Sequence, residues 1–178
     1  MPAVYKVPTY PVVTNKLPGT ERWVELANKY SGGALWNNGT FVFRDIRGKP
    51  GKISNHARGV AMDLSYRFIE PRKLGVSDGR AKAITFLQTV LDNWELLGVQ
   101  LVIDYWPEPF GRSWNCSRVG MGVPKPHAAE AWVKPKTQLF TGSPKGDWLH
   151  IEITLGMALH PQNVTAAFRQ AFDKSTTT

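Results

Sequence analysis

The sequence predicts an α+β domain with a small, mostly antiparallel sheet and helices covering one of its faces. Three observations support this prediction. Apolar and polar residues alternate in short segments near residues 41, 61, 101 and 150, which is typical of strands with one buried face. The segments between them include apolar stripes at helical spacing. The chain of 178 residues has the length of one domain and is long enough to bury a core.

The N-terminal quarter of the chain predicts an arm, a helix and a strand. Four prolines within residues 1–19 predict an extended arm that lies on the domain formed by residues 20–173. A helix is predicted over residues 20–30, followed by the helix-ending pair Gly32 and Gly33. Its apolar stripe consists of Trp23, Leu26, Ala27 and Tyr30. Residues 40–44 read as a strand, with Phe41 and Phe43 on one face.

The middle of the chain contains the longest helical pattern. Ser77 or Asp78 is expected to cap a helix that runs to about Leu97 and stops at Gly98. A strand over 99–105 follows. Residues 106–144 are rich in Gly, Pro and Trp and lack periodicity, which is typical of a functional rim or lid. Trp114, His127 and Trp132 are candidates for lining a substrate groove there, with packing of this segment onto the core as the alternative.

The C-terminal part predicts one strand, one helix and a tail. The strand covers residues 148–154, and Asn163 is expected to cap a helix that ends near Phe172. Residues 174–178 are small and polar and read as a tail or the start of a linker.

Two segments contain residues that can build a metal site. The first runs from Ser54 to Asp63 with the sequence SNHARGVAMD, and the second is DWLHIE, from Asp147 to Glu152. The spacing of seven between His56 and Asp63 does not suit one helix face, but it suits a loop that turns at Gly59 and enters a strand. On the second strand, His150 and Glu152 share a face.

These residues match the chemistry of a catalytic zinc site. Such sites take three ligands drawn from His and Asp or Glu and leave one position for water. His56, Asp63 and His150 are the predicted ligands of one Zn²⁺, and Asp147 is the predicted base beside the bound water. Glu152 is expected to orient a ligand, or to be an ordinary polar residue of the strand, rather than to bind the metal itself. His127 and His160 lie in loop-like contexts and are expected at the surface or in the groove.

The pattern S-x-H-x-x-G-x-A-x-D followed by D-x-x-H resembles the D-Ala-D-Ala carboxypeptidase and L-Ala-D-Glu peptidase family of zinc peptidases. This family is related to lysostaphin-type endopeptidases and to the hedgehog signalling domain. The resemblance implies a zinc site in an open groove, with Asp147 in a position where many members have Glu. It also implies an upstream arginine that steadies the substrate or the oxyanion, for which Arg44 is the first choice and Arg47 the rival. Ser54 of the motif is a further candidate for substrate binding.

The resemblance implies hydrolysis of the peptidoglycan stem peptide. An L-Ala-D-Glu endopeptidase of a bacteriophage lysis enzyme is the first expectation, and a D-Ala-D-Ala carboxypeptidase or other D,D-peptidase is the second. A non-catalytic wall-binding zinc module is the alternative of another class. The net charge of +8 favours anionic partners such as wall polymers. A nucleic-acid binder is disfavoured, because the chain lacks the usual recognition motifs.

The start of the chain and its hydropathy bear on where the protein acts. A signal peptide is not evident and no apolar run reaches the length of a membrane span, so we expect no stable membrane insertion. We expect a monomer that is made in the host cytoplasm and reaches the bacterial cell wall after release. Cys116 is the single cysteine, so a metal is the available cross-link in place of an internal disulfide.

Overall fold

The computed structural model describes residues 4–5, 9, 11–46, 48–119, 123 and 125–173. Three of the sequence-based predictions therefore lie partly or wholly outside the described residues: much of the first half of the 1–19 arm, Arg47, and the 174–178 tail. The described part of the arm is irregular up to Leu17. The first helix then begins at Pro18, inside the predicted arm, because proline at the first helical position needs no hydrogen-bond partner for its nitrogen.

Helices and strands are interspersed along the chain. The helices are α1 (Pro18–Tyr30), α2 (Gly79–Asp92), α3 (Leu155–Leu159) and α4 (Pro161–Phe172), with short 3-10 turns at Glu70–Arg72, Cys116–Arg118 and Ala129–Ala131. The strands are β1 (Trp36–Gly39), β2 (Asp45–Ile46), β3 (Lys49–Ile53), β4 (Ala61–Ser65), β5 (Val99–Asp104), β6 (Arg112–Asn115), β7 (Trp132–Val133) and β8 (Trp148–Ile153). None of the described helices combines the length and apolar character that a membrane span requires.

The strands form a six-stranded sheet in the order β1-β4-β8-β5-β6-β7, and β2 and β3 form a separate hairpin. Every pair of neighbouring strands is antiparallel. The prediction of an α+β fold with a mostly antiparallel sheet is thus confirmed. The two strands that contain the metal-site motifs, β4 and β8, are direct neighbours near the centre of the sheet.

Alternation along the central strands separates a core face from a polar face. Met62 and Leu64 of β4, and Leu149, Ile151 and Ile153 of β8, are fully buried in the core. The same core includes apolar residues of α1, α2 and α4, such as Trp23, Phe86 and Phe168. Since successive strand residues point to opposite faces, Asp63, His150 and Glu152 project from the other face. Burial of one apolar row therefore fixes where these polar side chains point.

The structure corrects three of the predicted elements by more than two residues. The predicted strand over 40–44 is wrong: residues 41–44 are irregular, Phe43 is 68% exposed, and the strand lies earlier at Trp36–Gly39. The helix predicted to reach Leu97 ends at Asp92, because Asn93 donates its side-chain amide to the Thr89 carbonyl and the following residues form turns. The last helix begins at Pro161 rather than after Asn163.

The predicted irregular segment 106–144 contains two strands, β6 and β7, that extend the sheet beyond β5. They are short and are interrupted by 3-10 turns, so neither shows a clear period in the sequence. Helix α3 was also missed. Its N-cap is Thr154, whose hydroxyl accepts a hydrogen bond from the Met157 backbone at 3.4 Å.

A buried carboxylate joins α2 to the end of β5. Asp104 is fully buried and accepts two hydrogen bonds from the Arg80 guanidinium, at 2.7 and 2.8 Å. Its second oxygen also accepts from Arg112 Nε at 3.0 Å. The Arg80 guanidinium packs 5.3 Å from the centre of the Tyr66 ring, and Arg112 lies 4.2 Å from that of Trp132. The carboxylate thus holds two cations against aromatic rings.

We expect Asp104→Asn to lower the free energy of unfolding by about 3–5 kcal/mol, because it leaves two partly buried guanidinium groups without their counter-charge. Urea unfolding followed by circular dichroism measures this loss. Asp78→Asn is the control, since it removes an exposed ion pair with Lys82 at 3.2 Å and is expected to cost less than about 1 kcal/mol. Equal losses in the two variants would contradict the assignment of Asp104 as a structural ion-pair centre.

Candidate metal centre

The register between β4 and β8 places the first pair of predicted ligands side by side. Asp63 and His150 are directly opposed in the antiparallel ladder, and Ala61 is opposite Glu152. Directly opposed residues on one face have Cβ atoms about 4.5–5.5 Å apart. His150 Nδ1 lies 3.0 Å from Asp63 Oδ1. The strand alternation that the sequence indicated therefore brings together two residues that are 87 positions apart.

His56 reaches the same place through a turn between β3 and β4. Backbone bonds from Ala57 to Ser54 and from Gly59 to His56 close the turn, at 3.0 Å each. Gly59 has a φ of +73°, and a Cβ atom there would lie 2.6 Å from Leu17 Cγ. Glycine thus permits both the left-handed backbone and the close approach of the N-terminal segment. The structure shows the predicted order of elements, in which a loop is followed by a turn at Gly59 and then by a strand.

The three predicted ligands form one compact cluster. His56 Nε2 lies 3.4 Å from Asp63 Oδ1, and the two imidazole rings are 5.0 Å apart between their centres. One donor atom from each of His56, Asp63 and His150 lies within 4.8 Å of the other two. Ligands of a tetrahedral zinc ion stand about 3.3 Å apart, given metal–ligand distances of roughly 2.0–2.2 Å. The two distances from the Asp63 oxygen already have this length.

Glu152 holds the far side of the His150 ring. Its Oε1 lies 3.1 Å from His150 Nε2, while Nδ1 faces Asp63. A neutral imidazole that donates its Nε2–H to a carboxylate in a hydrogen bond has a lone pair on Nδ1 that can bind a metal. Glu152 therefore orients His150, one of the predicted ligands, and fixes which nitrogen of that ring faces the cluster.

Burial and ion pairing oppose each other in this cluster. Burial alone would lower the pKa of His150, but hydrogen bonds and attraction from Asp63 and Glu152 raise it to about 10. Burial would raise the pKa of both carboxyl groups, yet their contacts with the histidines hold the pKa of Asp63 and of Glu152 below the usual range. Both carboxylates are therefore negatively charged at neutral pH.

The donor set fits a divalent cation. A bound cation would take the place of any proton on the metal-facing imidazole nitrogens, and the carboxylates of Asp63 and Glu152 would then supply two negative charges, which one divalent cation balances. Asp63 is the most open of the three ligands, with 22% of its side chain exposed, against 5% for His56 and 11% for His150. His56 Nδ1 is buried, and among the described residues it has no hydrogen-bond partner. An imidazole held without such a partner is oriented by packing, with its other nitrogen directed at Asp63.

The predicted base Asp147 immediately precedes β8 and is held by an arginine. Arg67 Nε lies 2.5 Å from Asp147 Oδ2, and Arg67 Nη2 lies 2.9 Å from Oδ1. The Asp147 carbonyl accepts from the Ser65 hydroxyl at 3.0 Å and from the Tyr66 backbone at 3.0 Å. Ser65 is two residues beyond Asp63 on the same face of β4. Asp147 is therefore fixed immediately before β8, three residues before His150, with its carboxylate paired to Arg67.

Arg44 and Ser54, which precede the turn that contains His56, are joined by a backbone hydrogen bond. The Arg44 carbonyl accepts from the Ser54 backbone at 3.1 Å, which places the Arg44 backbone beside Ser54, the residue two positions before His56. Its guanidinium donates to the Asp45 carbonyl at 3.3 Å. Ser54 is buried, and its hydroxyl accepts from the His56 backbone at 3.3 Å. Ser54 thus supports the ligand loop, and Arg47 lies outside the described residues.

Three predicted groove residues lie on the other side of the sheet. Trp114 is fully buried and Trp132 is 9% exposed. Trp114 pairs with Trp132 on one side and with Val102 on the other, and Val102 pairs with the core residue Ile151. Both tryptophans therefore lie on the core face of the sheet. His127 pairs with Asp92 at the end of α2, at 2.6 Å. The structure therefore corrects the groove prediction for the two tryptophans, while His127 is partly exposed and agrees with its expected place at the surface or in a groove. The alternative, in which this segment packs onto the core, holds for both tryptophans, because β6 and β7 extend the sheet.

Sequence reasoning missed three further residues around the cluster. Arg67, which holds Asp147, continues the alternation of Asp63 and Ser65, and this pattern was the available signal. Tyr5 donates to Glu152 from the N-terminal segment, and Asn55 bonds to the same carboxylate. Nothing local in the sequence predicts the Tyr5 contact, since 147 positions separate it from its partner.

Comparisons of the chain with protein-family models, with curated proteins and with solved structures found no match.

Proposed function

We propose that this protein is a zinc-dependent peptidase that cleaves the stem peptide of bacterial peptidoglycan. The observation that carries the proposal is the convergence of His56, Asp63 and His150 on one face of the sheet, with donor atoms within 4.8 Å. The motif resemblance to D-Ala-D-Ala carboxypeptidases and L-Ala-D-Glu peptidases supports the choice of reaction and of substrate. A hedgehog-like fold with an open substrate groove on the polar face of the sheet is part of the same proposal.

In this proposal His56, Asp63 and His150 hold one divalent ion. When bound, zinc supplies positive charge that acidifies a water and polarises a peptide carbonyl. Glu152 accepts a hydrogen bond from the Nε2–H of His150 and keeps Nδ1 directed at the cluster. The apolar row of β8 anchors the strand in the core, so Asp63 and His150 are held by paired strands, while His56 is held by the hydrogen-bonded turn before β4.

Asp147 serves as the general base and acid. Its carboxylate accepts the proton of the attacking water and then gives it to the leaving amine. Arg67 binds both carboxylate oxygens and so fixes the direction of the group. Arg44 is the proposed partner of the negative charge that develops on the carbonyl oxygen, since its backbone adjoins the ligand loop.

The proposed substrate bond is L-Ala–D-Glu, as in the phage lysis enzymes that the motif resembles. The net charge of +8 supports association with the anionic polymers of a cell wall. We propose that the protein acts on this wall as a monomer, after release from the host cytoplasm. Hydrolysis of D-Ala–D-Ala bonds and simple wall binding are the competing functions that the following test separates.

The test is digestion of purified peptidoglycan by the protein before and after chelation, with metal analysis of the same sample. We expect about one zinc per chain, loss of digestion after chelation, and recovery when Zn²⁺ is added back. Mass spectrometry of the products should show new N-terminal D-Glu. Released D-Ala would instead indicate a D,D-peptidase. Wall binding without any cleaved product from the zinc-loaded protein would identify a binding module and overturn the proposal.

A further inference from the structure

We infer that Tyr5, in the N-terminal segment, is a positioning residue of the metal centre and acts through Glu152 on His150. This inference rests on the metal site of the proposed function. Tyr5 Oη donates to Glu152 Oε2 at 2.7 Å, and Glu152 Oε1 contacts His150 Nε2 at 3.1 Å. One carboxylate thus connects the phenol to a metal ligand.

The Glu152 carboxylate is enclosed, so its orientation depends on its partners. Glu152 is 8% exposed, and its two oxygens are engaged by His150 and by Tyr5. Asn55, the neighbour of His56, provides a further side-chain hydrogen bond to Glu152. A buried carboxylate that loses a donor must rotate or admit water to satisfy the exposed lone pairs. Rotation of Glu152 would in turn release the Nε2 side of His150.

The position of Tyr5 is itself fixed. Its backbone nitrogen donates to the Ser117 hydroxyl at 2.6 Å, at the 3-10 turn that follows β6. Farther along the same segment, the Val13 nitrogen donates to the Ala57 carbonyl in the ligand turn at 3.0 Å. The N-terminal segment therefore contacts both halves of the site, Glu152 behind His150 and the turn that contains His56.

The expected consequence is a weaker and less ordered metal site when the phenol is removed. Groups that orient a metal ligand typically change metal affinity by about 10- to 100-fold when they are mutated. Tyr5 is one contact farther from the metal than Glu152. We therefore expect Tyr5→Phe to weaken Zn²⁺ binding by about 5- to 10-fold, and Glu152→Gln to weaken it by about 10- to 100-fold.

The experiment measures Zn²⁺ affinity by competition with a fluorescent chelator and records the visible spectrum of the Co²⁺-loaded protein. The full chain is compared with Tyr5→Phe, Glu152→Gln and the double variant. Tyr30→Phe is the matched control, because it removes a similar phenol-to-carboxylate bond, 2.9 Å to Asp173, at the far end of the helical layer. We expect Tyr30→Phe to leave both the affinity and the Co²⁺ spectrum unchanged.

The double variant separates positioning from a general loss of packing. If Tyr5 acts through Glu152, adding Tyr5→Phe to Glu152→Gln should change the affinity by less than about 2-fold, since coupled residues are not additive. Independent, additive losses would overturn the inference. If Glu152→Gln fails to fold, the comparison of Tyr5→Phe with Tyr30→Phe decides alone, and equal affinities would overturn it.

The outcome is distinguishable from failure of the proposed function. An affinity loss in Tyr5→Phe, together with no wall cleavage by the wild-type chain, would support the inference and reject the peptidase. Wall cleavage with unchanged affinity in Tyr5→Phe would reject the inference alone. Failure of the wild-type chain to bind Zn²⁺ or Co²⁺ would reject both.

Discussion

Asp63→Asn is expected to lower Zn²⁺ affinity by at least about 100-fold and to abolish metal-dependent cleavage. Asp63 is the only charged ligand of the cluster, and its Oδ1 faces both His56 Nε2 and His150 Nδ1, at 3.4 and 3.0 Å. Asparagine keeps the shape but removes the negative charge that offsets the cation. Loss of a group in direct contact with the metal should exceed the roughly 10- to 100-fold loss seen for groups that merely orient a ligand.

The measurement is metal content after dialysis against a weak chelator, followed by direct titration with Zn²⁺. Asp92→Asn is the matched control, because Asp92 also pairs with a histidine, His127, at 2.6 Å but lies at the end of α2. We expect this control to retain zinc as the wild type does. Equal retention of zinc by Asp63→Asn would exclude the cluster as the zinc site. Loss of zinc in Asp92→Asn would instead indicate that the pair of His127 and Asp92 binds the metal.

The centre of the site was predictable because its geometry follows from two local patterns. Alternation places Asp63 and His150 on the face opposite to that of Met62 and Ile151, and burial of those apolar residues fixes which face the polar side chains take. Gly59 indicated the turn that returns His56 to the sheet. Each pattern lies within about ten consecutive residues, so it can be recognised in the sequence without knowing which segments pair with each other.

The surroundings of the site depend on distant contacts, and these were predicted poorly. Residues 106–144 show no period, yet β6 pairs with β5, and its Trp114 is fully buried in the core rather than in a groove. A four-residue strand such as β6 presents only two residues to each face, too few to reveal alternation. The strand predicted at 40–44 failed for a related reason, since Phe43 has no apolar surface to cover it.

The partner of Asp147 illustrates the same limit within the site. The sequence indicated a carboxylate three residues before His150 but not the group that would fix it. Arg67 meets Asp147 because β4 and β8 are adjacent and the chain continues past Ser65 on the same face. Once the pairing of the two strands is known, the Arg67–Asp147 contact follows. Strand pairing, rather than residue type, was the missing information.

Asp147→Asn is expected to reduce the rate of wall cleavage by about 10²–10⁴-fold while zinc content stays at the wild-type level. Asparagine cannot accept the proton of the attacking water, and general base catalysis typically contributes this factor. The variant should remain folded. Arg67 is 55% exposed, and exposed ion pairs of this kind contribute about 0–1 kcal/mol to stability. Product formation from purified peptidoglycan, zinc content and urea unfolding are measured on the same preparation.

Two further variants separate the base from its ion pair. Arg67→Gln breaks the contact with Asp147 but leaves the carboxylate, so we expect a smaller loss of rate than in Asp147→Asn. Glu108→Gln removes an exposed ion pair with Lys145, 2.9 Å apart, in the loops next to Asp147 and should leave the rate unchanged. If Arg67→Gln and Asp147→Asn lose the same activity, the pair acts as a structural clamp. If Asp147→Asn retains full activity, the proton must be accepted by another group, and the role assigned to Asp147 is wrong.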